Sequence, residues 1–242
     1  MRAKIVAVWG LHGRTTFAVN LAWMLTQTKT DKLVSLLSTN LTYGDVQNFF
    51  GIAIWDQHSL ATALSTKGHA RENLWKAGTE RPFSDIFLMS LANDSDALLM
   101  ESPSEEQCDN LVADLADEQS DYLVIDCSAS ISNPLSSVGL VHADVIICLH
   151  TPGTAAYQWF RSMRSFRQQL DLDAKTLHVI YAADRSANIG QYVDEAGITI
   201  SAEVPFIRSA SQYQNKGVPI CAEASFDSRR YTNALKRICK LV

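Results

Sequence analysis

A strand, a turn with two glycines and a helix begin the chain, and this order restricts what the rest can fold into. Residues 4–22 read KIVAVWGLHGRTTFAVNLA. The apolar, β-rich start predicts a strand, Gly10 and Gly13 fall in the turn, and a helical pattern opens on Thr15 and Thr16. N–H groups at a helix start are unpaired donors at the positive end of the helix dipole, so this layout suits a bound phosphate.

The match to the phosphate-loop motif G-x-x-x-x-G-K-[ST] is incomplete. Val8 stands where the motif has its first glycine, and Arg14 stands where it has its lysine. Arginine keeps the charge, but its planar fork is a poor replacement for a compact ammonium between phosphate oxygens. Two interpretations stay open on these residues alone: a phosphate-binding loop and a plain strand-turn-helix unit.

The composition is that of an ordinary globular protein and argues against several classes. Of 242 residues, 47% are hydrophobic and 19% are charged, which suits one α/β domain over residues 1–242. A net charge of −5 without a block of like charge does not favour nucleic-acid binding. The start lacks the pattern of a signal peptide, and the apolar runs fall short of the about 18 residues of a membrane span. We therefore expect a cytoplasmic protein.

Five cysteines are spread along the chain, and none forms a C-x-x-C pair. Cys127 and Cys148 lie in or beside apolar strands, so buried free thiols in a reducing cytoplasm are the simplest interpretation. No histidine or cysteine cluster has the sequence spacing of metal ligands. We therefore expect no metal site of this kind, and we interpret the six histidines as surface or packing residues.

Apolar runs of strand type alternate with helical patterns along the chain. Strands are predicted at 3–8, 33–37, 85–91, 121–127, 144–149, 177–182 and, at an edge, 198–204, and helices at 14–28, 46–51, 60–64, 104–117, 154–170 and 227–240, with an irregular stretch at 67–84. This alternation predicts an α/β fold with a mostly parallel sheet of about seven or eight strands and helices on both faces. Ligands of such sheets lie beyond the carboxyl ends of the strands, where the turn at 9–13, the loop at 38–45 and Asp126 would gather.

Segments along nearly the whole chain follow one order of motifs. Residues 9–16 read WGLHGRTT, residues 121–126 read DYLVID, and residues 144–152 read DVIICLHTP. Nearer the end, Val204-Pro-Phe precedes Lys216-Gly-Val-Pro219. This order resembles the MinD/ParA family of deviant Walker-A P-loop ATPases, whose loop reads K-G-G-x-G-K-T-T.

One stretch indicates a branch of that family. Leu41-Thr-Tyr-Gly-Asp-Val46, followed by residues 49–52, is similar to the D-L-D-L-x-F-G-D loop of the CpaE/TadZ branch. Those proteins are linked to the assembly and polar placement of Flp/Tad-type pili. The branch often carries an N-terminal receiver-like domain, which these 242 residues do not contain.

The resemblance implies a site for ATP and Mg²⁺. The implied nucleotide-binding residues are Gly10, Leu11, His12, Gly13, Arg14, Thr15, Thr16 and Pro205. Thr15 would be the Mg²⁺ ligand, and Asp126 would be its Walker-B-type partner. The family also implies a homodimer with protein partners in a membrane-associated or polar machinery, so the protein could be recruited to the inner face of the membrane or to a cell pole.

Several positions depart from the family pattern, and each departure weakens the implied chemistry. The family's signature lysine corresponds to Trp9, and its loop lysine corresponds to Arg14. Two acidic residues that serve Mg²⁺ and the attacking water correspond to Ser38 and Asn40, and an adenine-reading asparagine corresponds to Ala182. Removing one transition-state contact typically slows a reaction by about 10²–10³, and several have changed here.

Three functions are compatible with these residues. The first is a pseudo-ATPase, a homodimeric localisation or assembly scaffold that binds ATP and Mg²⁺ weakly or not at all. The second is a slow ATPase in which Arg14 replaces the lysine and ATP closes a dimer. The third is a ParA-type partition protein on DNA, which the acidic net charge disfavours.

The end of the chain and the aromatic residues each leave two interpretations. Residues 231–242 have an apolar stripe and a basic face, so they could touch a membrane peripherally, as the MinD tail does, or pack on the sheet, which we expect. Trp9 could fill the space of a lost ligand or pack at a dimer interface. We expect Trp159, Phe160 and Phe166 in the core or at an interface.

Overall fold

Strand-forming runs assemble into one eight-stranded sheet in the part of the chain that the structure describes. The computed structural model describes residues 2–28, 31–68, 70–80, 82–117, 120–183 and 188–242, without the side chains of 71, 182 and 183. The strands are β1 Lys4–Gly10, β2 Val34–Ser38, β3 Trp75–Lys76, β4 Ile86–Met89, β5 Tyr122–Asp126, β6 Val145–His150, β7 Thr176–Ala183 and β8 Ile200–Pro205. Their spatial order is β3-β4-β2-β5-β1-β6-β7-β8.

Helices connect the strands and cover both faces of the sheet. They are α1 Arg14–Thr28, α2 Leu60–Ser65, α3 Glu105–Ala116, α4 Pro134–His142, α5 Thr154–Ser162, α6 Arg164–Gln169, α7 Ile189–Ala196, α8 Ala210–Asn215 and α9 Phe226–Ile238. Only the two-residue β3 runs antiparallel to its neighbour; the other strand pairs found among the described residues are parallel. The predicted α/β fold with a mostly parallel sheet is therefore confirmed.

The structure corrects several predicted elements. Strand β3 lies inside the stretch 67–84 that the sequence indicates as irregular. The sequence does not reveal this strand, because two residues, one half-buried and one exposed, carry no periodicity. Helices α4, α7 and α8 were not predicted, although Pro134 after the capping Asn133 is a typical helix start. The predicted helix 154–170 is interrupted at Met163, and the segment 46–51 is a 3-10 helix closed by a left-handed glycine.

Alternate residues of β1 divide the core into two layers. Val6 and Val8 face the layer that contains α1 and α9, whereas Ile5, Ala7 and Trp9 face the layer that contains α3 and α4. The middle of α1, from Phe17 to Leu25, is buried at every residue. Burial on both faces explains why the strands are continuous apolar runs rather than alternating ones.

Helix α9 packs against the sheet, as expected from its apolar stripe. Tyr231, Leu235 and Ile238 are at most 1% exposed and belong to the same core layer as α1. The apolar stripe is thus used within the chain. Among the described residues, no helix combines the length and the apolar character needed to cross a bilayer.

Candidate nucleotide and magnesium site

The loop between β1 and α1 depends on its two glycines. Gly10 pairs with Leu149 on β6, and a β-carbon at Gly10 would lie 2.6 Å from the Leu149 carbonyl oxygen. Gly13 has a φ of +76°, and a β-carbon there would lie 2.1 Å from the ring of Tyr181. Neither position accepts a side chain without movement of its neighbours. The tight turn of a phosphate-binding loop is therefore present although Val8 replaces the first motif glycine.

Thr15 and Asp126 meet, as the resemblance implies. The Thr15 hydroxyl donates a hydrogen bond of 2.5 Å to Asp126 Oδ2. Strand β5 lies between β1 and β2, so Asp126 ends directly beside Val8 and Ser38 in the sheet. The other carboxylate oxygen, Asp126 Oδ1, is buried and has no hydrogen-bond partner within the described part of the chain.

Burial and a neighbouring like charge dominate the electrostatics of Asp126. Burial and the neighbouring Asp45 carboxylate raise the pKa of Asp126 to about 7, against the lowering effects of the Thr15 hydroxyl and the Arg14 guanidinium. Asp45 was not predicted as a site residue. The signal was available, since Asp45 is the acidic residue of the L-T-Y-G-D loop.

The Thr15, Asp126 and Asp45 side chains suit a magnesium ion. Mg²⁺ prefers oxygen ligands, keeps several waters and is bound through one or two carboxylates together with phosphates. An unpaired buried carboxylate oxygen beside a hydroxyl offers acceptors to such an ion or to its waters. A bound Mg²⁺ would balance the negative charges of Asp126 and Asp45 and would draw phosphate oxygens toward the loop.

Arg14, at the position of the motif lysine, is bonded to the protein backbone. Its Nη1 donates a 2.7 Å hydrogen bond to the Cys127 carbonyl oxygen, just past the end of β5. Its Nε is buried without a hydrogen-bond partner among the residues described. The guanidinium is thus held against the protein backbone, and its planar fork differs in shape from the compact ammonium of a lysine.

Ser38 and Asn40 hold the second loop together rather than supplying acids. Ser38 Oγ accepts a hydrogen bond from the Asn40 N–H at 3.2 Å. Asn40 accepts from the N–H of Thr42 at 3.0 Å and donates its Nδ2 to Asp45 Oδ2 at 3.1 Å. Asp45 is therefore oriented by Asn40, and it is the acidic side chain that this loop brings near Asp126.

Trp9 belongs to the core. It is 2% exposed, its Nε1 donates to the Ser128 carbonyl oxygen at 3.2 Å, and its ring packs on Trp159 and Phe166 at centroid distances of 4.9 and 6.1 Å. Phe160, which follows Trp159 in the chain, is also buried. The hypothesis of Trp9 at a dimer interface is therefore wrong, because the ring is enclosed within its own chain.

The remaining implied residues lie at the same edge of the sheet but differ in their access to the loop. Leu11 is half-buried, His12 is exposed, and the Thr16 carbonyl accepts from Asn20 Nδ2 at 2.8 Å within α1. Pro205 ends β8, three strands away from β1 in the sheet, or about 14 Å at ordinary strand spacing. The Ala182 side chain, at the position of the adenine-reading asparagine, lies outside the described residues.

Three potential metal ligands converge on β6 and β7, which the sequence analysis did not predict. One ligand atom each from Cys148, His150 and His178 lies within 4.8 Å of the others. The expectation that no histidine–cysteine metal site exists was based on sequence spacing. Sequence spacing gives no sign of this cluster, because two neighbouring strands, not one local motif, bring these side chains together.

Comparisons with known proteins give the fold but no closer relationship. No family model matches the sequence, and no curated protein matches it. A ParA family ATPase from Chlorobium tepidum TLS superposes with a TM-score of 0.79 at 18% identity over 98% of both chains. A chain of the MinC:MinD cell division protein complex from Aquifex aeolicus superposes with a TM-score of 0.77 at 15% identity over 99% of this chain and 95% of that one.

A third solved structure carries a nucleotide. The septum site-determining protein MinD complexed with Mg-ADP from Pyrococcus horikoshii OT3 superposes with a TM-score of 0.74 at 13% identity, over 99% of this chain and 95% of that one. These identities are low, so the superpositions establish architecture only. The chain has the α/β fold of MinD- and ParA-type ATPases.

Proposed function

We propose that this chain is a degenerate MinD/ParA-like protein that acts as a homodimeric localisation or assembly scaffold and does not hydrolyse ATP at a useful rate. The observation that carries the proposal is the Arg14 guanidinium, which is bonded to the Cys127 carbonyl oxygen instead of extending into the phosphate loop. Phosphoryl transfer is catalysed by positioning and charge neutralisation, for which the loop cation is essential.

Two further features support weak or absent turnover. Ser38 and Asn40 are not acidic, so neither provides a carboxylate to orient an attacking water. Both form hydrogen bonds within the loop instead. Trp9 is enclosed in the core and cannot reach across a dimer to a partner's nucleotide. Each such loss slows phosphoryl transfer by about 10²–10³, although losses within one site do not simply add.

A second candidate function, a slow ATP-dependent dimerisation switch, is favoured by a different observation. Thr15 and Asp126 keep their contact, and Asp126 Oδ1 leaves a carboxylate oxygen for Mg²⁺. In that case the Mg²⁺ half of the site would bind ATP, and dimer closure would position or partition a cellular cargo. The two candidates share a fold and differ in nucleotide dependence.

The loop 41–46 supports a role in Tad-type pilus assembly or another polar machinery. Its sequence is similar to the corresponding CpaE/TadZ loop, and Tyr43 at its tip is 60% exposed. An exposed aromatic side chain on a loop at the functional edge is available to a protein partner. Proteins of this fold do assemble with partners, as the MinC:MinD complex from Aquifex aeolicus demonstrates for that protein.

Calorimetry with ATP, with and without Mg²⁺, tests the proposal first. We expect either weak Mg²⁺-dependent binding or none, and a homodimer by light scattering whose population does not change with ATP. Turnover is then measured for the wild type, for Asp126→Ala and for the exposed control Asp94→Ala. Magnesium-dependent hydrolysis that Asp126→Ala abolishes and Asp94→Ala retains would reject the scaffold, and ATP-dependent dimerisation would favour the switch.

A further inference from the structure

Strands β6 and β7 bring a cysteine and two histidines to one face of the sheet. Cys148 and His150 are two residues apart on β6 and therefore point to the same side. His178 on β7 is the register partner of Cys148. One ligand atom from each of the three lies within 4.8 Å of the other two. The donor atoms of this cluster are nitrogen and sulfur, whereas those of Thr15 and Asp126 are oxygens.

A second layer of contacts orients the histidines. His150 is 1% exposed, and its Nδ1 lies 2.9 Å from Tyr192 Oη on α7. Its Nε2 lies 3.0 Å from Nδ1 of His178. Metal-ligating histidines in proteins have their second ring nitrogen fixed in this way by a hydrogen-bonding group. With Nδ1 of His150 bonded to Tyr192, its Nε2 is the nitrogen directed at His178.

The surroundings of the cluster are apolar on one side and open on the other. The Phe160 ring packs against His150 and His178 at centroid distances of 4.8 and 5.8 Å. His178 is half-buried and lines a cavity of about 750 Å³ next to α6 and the start of β8. Arg167 lies over the Phe160 ring and forms an ion pair with Asp173, so its charge is compensated within the chain.

We propose that Cys148, His150 and His178 form a Zn²⁺ site that joins β6 to β7, with a fourth coordination position open to the cavity. Two imidazoles and a thiolate are the donors that Zn²⁺ prefers. Zinc bonds of about 2.0–2.1 Å to nitrogen and 2.3 Å to sulfur place tetrahedral ligand atoms about 3.3–3.6 Å apart. The present spacing, within 4.8 Å, would have to shorten to this range when the ion binds.

Coordination changes the protons of the cluster in a defined way. Zn²⁺ binds the thiolate, so the Cys148 thiol releases its proton to solvent when the sulfur–zinc bond forms. The hydrogen bond between the two histidines is replaced by two nitrogen–zinc bonds. The proton that this hydrogen bond held moves, by exchange with solvent, to the other nitrogen of its ring, so both rings stay neutral. A water from the cavity completes the coordination. The proposal is independent of nucleotide binding.

Metal titration of the full-length chain tests the site. The protein is stripped with a chelator and titrated with Zn²⁺ against a chromophoric competitor, and separately with Co²⁺ as a spectroscopic probe of thiolate ligation. We expect one equivalent to bind with a cobalt–thiolate absorption. Cys148→Ser and His178→Gln should each weaken binding at least about tenfold, since even outer-shell partners contribute that much.

Matched variants separate ligation from general effects of substitution. Cys108→Ser removes another fully buried cysteine, and His142→Gln removes a half-buried histidine on α4. Both should bind Zn²⁺ like the wild type. Absence of the cobalt–thiolate absorption in the wild type, or unchanged affinity in the half-buried His178→Gln variant, would overturn the site even if Cys148→Ser fails to fold.

Discussion

The Thr15 hydroxyl donates a 2.5 Å hydrogen bond to Asp126 Oδ2, while Asp126 Oδ1 stays buried without a partner among the described residues. These two side chains come from a helix start and a strand end that are 111 positions apart. This contact brings together the two side chains that we propose as Mg²⁺ ligands. The Arg14 guanidinium, in contrast, donates to the Cys127 carbonyl oxygen.

Charge at Asp126 should destabilise the folded protein above neutral pH. In the folded protein the pKa of Asp126 is about 7, above the ordinary value of 3.8. Between these two pH values the folded protein therefore keeps a proton that the unfolded chain releases. Stability is therefore lost as the pH rises from about 4 to about 7. Asp126→Asn removes the charge, and we expect it to be more stable than the wild type at pH 8, by up to about 4 kcal/mol.

Urea unfolding at pH 5 and pH 8 measures this difference. The gain of Asp126→Asn over the wild type should be smaller at pH 5, where the wild-type carboxyl is already protonated in the folded state. Asp94→Asn, at an exposed position, should give the same small difference at both pH values. An equal gain for Asp126→Asn at the two pH values would contradict the raised pKa.

Gly13→Ala should destabilise the loop through a steric clash. Comparison with a second glycine, Gly68, separates this clash from backbone strain. Gly13 and Gly68 have φ angles of +76° and +77°, but a β-carbon at Gly13 would overlap the Tyr181 ring, whereas nothing lies within 4 Å at Gly68. Both variants share the left-handed strain, so Gly13→Ala should cost about 1–3 kcal/mol more than Gly68→Ala. Equal losses in thermal or urea unfolding would show that the loop yields freely.

Arg14→Met should affect stability more than nucleotide affinity. The substitution keeps much of the side-chain volume and removes the donor to the Cys127 carbonyl, which should cost about 1–2 kcal/mol. Because the guanidinium does not extend into the phosphate loop, any ATP affinity should change by less than about threefold. Arg164→Met, at an exposed position of α6, serves as the control. A tenfold loss of affinity at unchanged stability would place Arg14 on the nucleotide.

Trp9 should behave as a core residue under substitution. Trp9→Ala removes a ring that is 2% exposed and should cost about 3–5 kcal/mol, whereas Trp55→Ala, 59% exposed, should stay within about 0.5 kcal/mol. Trp9→Lys places an ammonium in the same apolar layer and should be at least as damaging as alanine. A stable Trp9→Lys variant that forms a dimer when ATP is added would contradict the core role and would indicate that a side chain at position 9 can reach a bound nucleotide.

The sequence by itself was sufficient for the local parts of the fold. Continuous apolar runs located β1 and β5, and apolar residues at helical spacing located α1 and α9, because burial on one or both faces of an element leaves such patterns in the chain. The meeting of Thr15 and Asp126 could also be predicted, since the loop and the strand end each have a recognisable local signature. That these residues bind a ligand stays a prediction. Strand β3 could not be predicted, because two residues carry no pattern.

Only the tertiary structure decided what distant side chains do to each other. The target of Arg14 is a carbonyl just past the end of β5, and the partners of Trp9 lie on α5 and α6. His178 meets Cys148 because β7 pairs with β6 in one register. Strand order and register are set by the packing of the whole chain, so the direction of a side chain and the charges around it follow from contacts that local sequence does not encode.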